Sequence, residues 1–298
     1  MQFDFRIQVF HAVAEKLSFT KAAEILFISQ PAVTKHISEL ESQIGLALFI
    51  RKGNKIALTQ AGEIFYSYSQ KIKACYRELE TELADLQEKA NGTLNIGAST
   101  TIAQYILPKI IAQFKRQNPQ VNILLLNGNS EDIEAKLVEN KIDVGLVEGN
   151  AHSANIQYQP FVKDEIVLAT SVKNKQLQQD EINLTQLKNI PLLIRETGSG
   201  TLDVIDEALE AIHLNRNDLT IEIQLGNSES IKEYLMHSNT AALISIHAIN
   251  KELKNNELRV VEIKGLKIDR TFQFIQLQGQ RSNLVEKFKQ FCTRQYNL

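Results

Sequence analysis

Up to residue 90 the apolar positions of this chain recur mostly at helical steps; beyond it they alternate between short strand-like runs and helical stripes. In "SFTKAAEILFISQPAVTKHISELESQIG" (18–45) two helical patterns flank "FIS", and the small pair Ala22 and Ala23 lets two short helices cross closely. Ser29 is a good N-cap for the second helix, Pro31 falls in its first turn, where a missing N–H costs nothing, and Gly45 ends it. Val33, Ile37, Leu40 and Ile44 follow steps of four, three and four, which predicts one stripe facing a core. "LFIRKGNKIALT" (48–59) then alternates apolar and polar residues around a "KGN" turn, as a short hairpin does.

From Thr59 to Ala90 there is no proline, and Gly62 is the only glycine, so one helix of roughly 45 Å is predicted. Phe65, Tyr68, Ile72, Cys75 and Leu79 step by three and four along it; Leu83, Leu86 and Ala90 resume the seam after a stutter. Such a stripe packs either on the chain's own second domain or, as two-fold DNA half-sites favour, on a second copy in a homodimer. "NGT" (91–93) breaks the helix. Strands are then predicted at 94–100, 121–126, 143–148, 165–170, 191–194, 221–225, 242–246, 259–263 and 272–277, with helices at 102–117, 130–140, 201–212, 228–238 and 282–295. That alternation is an α/β architecture.

Composition narrows the class. A chain of 298 residues predicts two or three compact units, and 43% hydrophobic with 23% charged residues is ordinary for a folded soluble protein. The net charge of -2 argues against a uniformly basic binder but leaves room for a local basic patch. Cys75 and Cys292 lie far apart and are read as free thiols. The six histidines form no metal-ligand spacing, and neither a metal nor a cofactor is expected. The N-terminal apolar pattern is interrupted by Asp4, Arg6 and Glu15, unlike a signal peptide, and no segment is long and apolar enough to span a bilayer. A cytoplasmic location and no membrane partner are expected.

The chemistry of the first sixty residues sits on two exposed features. Lys35, Ser38 and Ser42 lie opposite the apolar stripe and, with Ser29, Gln30, Pro31 and Thr34 at the helix start, form either a plain solvated face or the reading edge of a recognition helix in the major groove. Arg51, Lys52 and Lys55 cluster at the hairpin tip beside it, where a wing can grip phosphates, which tips the balance towards DNA.

With "AA", "SQPAV", "LE", "LF.R" and "LT.AG" in place, residues 18–65 resemble the winged helix-turn-helix of the LysR-type transcriptional regulators of bacteria. Thr34-Lys35 stands where that family often has Ser-Arg. The resemblance implies a multi-domain α/β protein: a winged helix-turn-helix DNA-binding domain (1–59), a linker helix for dimerisation (60–90) and an effector-binding domain (91–298) like periplasmic solute-binding proteins. Its chain crosses between lobes near Gln159–Val162 and Lys264–Lys267, giving lobe one as 91–161 with 267–298 and lobe two as 162–266. Double-stranded operator DNA of pseudo-palindromic sequence, a small-molecule effector, further copies as homodimer or homotetramer, and RNA polymerase are the partners it implies.

Three loops in the second half end in helix starts rich in hydroxyls, amides or glycines: "ASTT" with Ser99, Thr100 and Thr101; "ETGSGT" with Thr197, Ser199, Gly200 and Thr201; and "GNSES" (226–230). Singly, each is an ordinary capped helix; converging at one sheet edge, they suit an anion. Enzymatic motifs fail on required residues. No lysine follows Gly200 as in a P-loop, Asp203 replaces the third glycine of a dinucleotide fingerprint, and Thr197 and Thr201 occupy the flanking glycines of a nucleophile elbow. A non-enzymatic sensor is therefore predicted, ahead of a stand-alone solute-binding protein or a small transferase. "RETGSGT" is especially like the branch that includes regulators of sulfur assimilation and carbon fixation, which points to a small oxyanion or carboxylate. Glu148, at a strand end beside the pocket, would repel a dianion unless it is protonated, pairs with a cation or accepts from a protonated ligand; otherwise it is a turn residue before Gly149.

Overall fold

A computed structural model of the chain describes residues 4–52, 55–85, 92–149, 153–280 and 282–296. The chain divides into two compact units, 1–89 and 90–298. The first contains α1 (Phe5–Lys16), α2 (Phe19–Leu26), α3 (Gln30–Ile44), the antiparallel hairpin of β1 (Phe49–Lys52) and β2 (Lys55–Leu58), and α4 (Gln60–Asp85). Local chemistry sets its corners. The Ser29 hydroxyl accepts from the Ala32 N–H, and Gly45 closes α3 with φ +76°, a conformation open to residues without a Cβ. Val33, Ile37 and Leu40 enter the core with Phe10, Val13, Ala22, Ala23 and Leu48. Ile44, predicted to share their stripe, is instead exposed at the end of the helix.

The hairpin and α4 are locked to this core by polar contacts. Glu41 Oε1 accepts from the Leu48 and Phe49 N–H groups at 2.7 and 3.2 Å, joining the end of α3 to the start of β1. Thr59 donates to the Ala47 carbonyl and accepts from the Gly62 N–H. Gly62 lies against the Leu48 backbone so closely that any Cβ would overlap the Leu48 carbonyl oxygen. These contacts account for the "LE" and "LT.AG" signatures. Along α4, Phe65 packs edge-on against Phe10 and belongs to the core rather than to the predicted seam. Ile64, Tyr68, Ile72, Cys75 and Leu79 are the exposed apolar positions; Leu83 has no described side chain, and Leu86 and Ala90 lie outside the described residues.

The second unit is built on a ten-stranded sheet. In chain order it comprises β3 (Gly92–Ser99), α5 (Thr100–Tyr105), α6 (Leu107–Gln117), β4 (Val121–Gly128), α7 (Ser130–Val138), β5 (Val144–Val147), β6 (Ile156–Ser171), β7 (Glu181–Ile182), α8 (Leu184–Asn189) and β8 (Leu192–Arg195). There follow α9 (Gly200–Glu210), β9 (Ile221–Leu225), α10 (Ser228–Met236), β10 (Ala241–Ser245), α11 (Ile246–Lys254), β11 (Leu258–Ile263), β12 (Ile268–Leu277) and α12 (Asn283–Tyr296). The helix predicted over 102–117 is two helices. Pro108 has no N–H to continue the first, and α6 starts afresh with it in its opening turn.

The strand order β4-β3-β5-β12-β6-β10-β8-β9 puts the long antiparallel pair β6 and β12 between two parallel groups. One core gathers Leu94, Ile96, Phe114, Val162, Phe272 and Phe288; another gathers Ile166, Leu168, Leu192, Ile205, Leu243 and Ile268. The chain therefore passes from one lobe to the other inside β6, between Val162 and Ile166, and back inside β12, between Ile268 and Phe272. Lys264–Lys267, where the resemblance put the second crossing, form the turn between β11 and β12. Cys292 is buried in the first of these cores, and burial pushes its thiol far above the ordinary range. Gly62→Ala should shift the helix-turn-helix unit by about 1–3 kcal/mol towards unfolding, the cost of overpacking, read as a lowered urea midpoint of the first transition.

Candidate functional site

Two sites emerge, one in each unit. In the first, Ser29, Gln30, Pro31, Thr34, Lys35 and Ser38 are all exposed, opposite the buried Val33, Ile37 and Leu40. Gln30 Nε2 donates to Thr34 Oγ1 at 3.1 Å, and that hydroxyl donates back to the Gln30 carbonyl. Lys35 is 3.9 Å from Glu39 with 76% of its side chain exposed, so this surface pair leaves its ammonium available. The hairpin register pairs Arg51 with Ile56 and Lys52 with Lys55. The tip residues 53 and 54, and the side chains of Arg51, Lys52 and Lys55, lie outside the described residues.

In the second unit the strand-to-helix loops meet around one carboxylate. Glu148, immediately after β5 and 2% exposed, accepts from Ser99 Oγ through Oε1 at 2.9 Å. Its Oε2 accepts from Thr201 Oγ1 and from Arg270 Nη1, the latter at 2.6 Å. Arg270, in the crossing segment of β12, also donates through Nε to Asp164 Oδ2 at 2.7 Å and through Nη1 to Thr201 Oγ1 at 2.9 Å. Asp164 lies in the crossing segment of β6 and accepts from Ser245 Oγ at 2.8 Å. One guanidinium thus joins lobe one, lobe two and both crossing strands. Burial by itself would raise the Glu148 carboxyl; the Arg270 charge, then Arg195 and the Thr201 hydroxyl outweigh it and hold it at about 2, so Glu148 is an anion.

Beside this cluster Arg195, also 2% exposed, donates to Thr100 Oγ1 across the lobes at 3.0 Å and forks onto Glu196 at 2.7 and 2.8 Å. Gly200 touches the Glu148 backbone; a Cβ there would overlap its carbonyl oxygen. Ser199 is buried at the start of α9 without capping it through its side chain. A side-chain hydrogen bond from Thr101 also helps to hold the Glu148 carboxyl down, and within this cluster Arg270 Nη2 is a buried donor without a partner.

The structure therefore gathers Ser99, Thr100, Thr101, Glu148, Ser199, Gly200 and Thr201. Thr197 departs from the expectation: its side chain is exposed, and its carbonyl accepts from Asn129 Nδ2. "GNSES" also falls elsewhere. Asn227 spends its side chain capping α10, and the next residues reach lobe one through Glu229, which accepts from Tyr105 at 2.6 Å beside the buried Lys232. Arg270, Asp164, Arg195 and Ser245 were absent from the sequence-based set. Their available signal was strand phase: Asp164 shares the inward phase of Val162 and Ile166, and Arg270 that of Ile268 and Phe272. A charge on a buried phase demands a partner.

Residues 6–63 match the family described as bacterial regulatory helix-turn-helix protein, lysR family, and residues 87–297 match the LysR substrate binding domain. The chain belongs to the LysR family of transcriptional regulators. This regulator is 33% identical over 293 residues to a probable RuBisCO transcriptional regulator of Trieres chinensis, across 95% of its own length and 94% of the relative's. Its fold is similar to that of full-length CbnR in complex with its target DNA, at TM-score 0.69 and 19% identity over 99% of this chain and 100% of that one. It is similar too to the regulatory domain of Synechocystis PCC6803 CcmR in complex with 2-PG, at TM-score 0.62 and 21% identity over 68% of this chain and 97% of that one. Like its family, the LysR-type regulator joins a DNA-binding helix-turn-helix to an effector-binding α/β domain. No described helix is long and apolar enough to cross a membrane.

Replacing Arg270 by Met should leave Glu148 and Asp164 buried without their shared cation and cost about 3–5 kcal/mol in urea unfolding. The acid limb has a definite sign. The folded-state value of Glu148, about 2, lies below its ordinary 4.5, so its stabilisation is complete above that pH and is lost as the pH falls towards 2. Glu148→Gln should be less stable than wild type at neutral pH, and the two urea midpoints should converge across that interval.

Proposed function

We propose that the regulator reads operator DNA with the exposed face of α3 and the β1–β2 wing, and that a small anion in the cleft around Glu148 modulates that binding. The observation that carries the DNA reading is the segregation on α3: Gln30, Thr34, Lys35 and Ser38 free on one side, an apolar core on the other. Arg51, Lys52 and Lys55 supply phosphate contacts beside it. For the effector, the support is two buried guanidiniums: Arg270 keeps Nη2 without a partner, and Arg195 bridges to Thr100, with Ser199 buried at the start of α9. That CbnR binds target DNA and that the CcmR regulatory domain holds 2-PG is consistent with this assignment.

The protein acts as a symmetric oligomer whose seam is the exposed stripe Ile64, Tyr68, Ile72, Cys75 and Leu79 of α4. A two-fold operator calls for a two-fold reader, and an apolar stripe of this length gains by burial against a second copy. An Arg51/Lys52/Lys55 triple alanine variant should bind all DNA sequences more weakly, its log–log salt slope reduced by about one per lost phosphate contact, whereas changing Thr34 or Lys35 should alter sequence preference. Filter binding across a salt series separates the two; a triple variant with wild-type affinity and slope would remove the wing from the interface. Leu79→Asp should split or rearrange the oligomer in sedimentation and lower operator affinity with it, because the seam would have to bury an unpaired charge.

A further inference from the structure

We propose that the second lobe carries a separate binding site for a small amine with an apolar body, in the slot where β11 and β12 part beside β6. The slot follows from strand register. β11 stays on β6 as far as Val261 opposite Leu168, and β12 rejoins it at Ile268 opposite Ile166. Between those pairs β6 advances by one residue, Val167, while the facing chain runs through residues 262–267. That stretch leaves the ladder because Glu262 and Ile263 pair with β7 instead, and Gly265, at φ +84°, turns the chain back. The detour leaves a space that one side chain of β6 cannot fill.

What remains is a cavity of about 500 Å³, the size of a small-molecule pocket, in a protein interior where voids larger than a water are few. Its walls are aliphatic. Leu168, Leu243 and Val261 are buried among them, whereas Val167, Ile263 and Leu266 are only half-buried and would lose water to an apolar occupant. The charges at the slot set the head group. Glu165, Glu262 and Lys267 are its charged lining residues. Glu165 lies directly opposite Asp269 on the β6–β12 ladder, and Lys267 serves both, donating to Asp269 at 2.9 Å and drawn by the Glu165 charge. The Glu262 carboxylate has no hydrogen bond or ion pair among the described residues. One ammonium thus answers three carboxylates, and a second cation is what the set lacks; an anionic head would be a fourth negative charge. Because these side chains are largely solvated, the preference amounts to about tenfold rather than thousands.

The position also gives an occupant leverage. Ile166 and Ile268 line the slot and lie two residues from Asp164 and Arg270, the ion pair that ties the crossing strands. The site shares no residue with the cluster around Glu148, so it stands or falls apart from the anion cleft.

Calorimetry on the full-length regulator tests both parts of the proposal, with butyl-, hexyl- and octylammonium set against the carboxylate and the alcohol of each length. Affinity should rise about fourfold per added methylene, the factor for burying one CH₂. Each ammonium should bind at least about tenfold more tightly than its carboxylate, and Glu165→Gln should narrow that lead about threefold or more. Val167→Phe and Leu266→Phe fill the slot from opposite strands, and each should weaken octylammonium about tenfold or more. Carboxylates or alcohols binding as tightly as the ammoniums would overturn the amine assignment. Failure of all three series to bind, or heats indifferent to both filling variants, would overturn the site itself. If a second copy of the chain occupied the slot instead, both filling variants would sediment at lower mass, and that result too would overturn the proposal. The wild-type series decides the head group even if a variant does not fold.

Discussion

A guanidinium removed from water must be matched almost completely, and in this regulator the match for Arg270 comes from every part of the effector domain at once. Glu148 belongs to the first lobe, Thr201 to the second, and Asp164 to the neighbouring crossing strand. Buried ion pairs of this kind contribute little net stability compared with an apolar core, because desolvation offsets most of the attraction. Their effect is on geometry. Separating the lobes would strand two carboxylates and a cation, so the approach of β5 to α9 and the pairing of β6 with β12 are set by the same contact.

The DNA-binding unit is organised by a different constraint, the close approach of backbone to backbone. Gly62 lies on the Leu48 carbonyl, Thr59 ties to Ala47, and Glu41 holds the N–H groups that open the hairpin. Through these contacts the end of α3, the wing and the start of α4 form one rigid corner. The presented face of α3 owes its orientation to that corner as much as to its own apolar stripe.

Much of this was legible in the residues, and what was missed has a common cause. Strand and helix periods located most elements of the second unit, because burial on one face leaves a mark at each step, but they missed β7, α8 and α11 and gave only the later parts of β6 and β12, without Asp164 and Arg270. Caps and turn glycines marked the helix starts where two of the three loops converge. The continuous helix over 102–117 failed at Pro108, whose missing N–H is a local signal that the apolar pattern ran straight through. Asp164 and Arg270 were hidden because single charges in a strand carry no motif. Their meaning lies in a partner about a hundred residues away, and pairing at that range becomes visible only when register is known: β12 meets β6 with Arg270 opposite Asp164. Thr197 illustrates the converse, a hydroxyl with the right company in sequence that points outward because φ +81° at Gly198 turns the loop.

The two thiols of the chain differ in a way that bears on how the molecule can be observed. Cys292 is enclosed by aromatic and aliphatic neighbours and kept protonated, hence closed to alkylating reagents, whereas Cys75 stands on the open face of α4. Because Cys75 sits in the stripe that a second copy would cover, a maleimide dye should react with separated protomers and be shut out of the assembled regulator, so the unaltered protein reports its own assembly through one thiol.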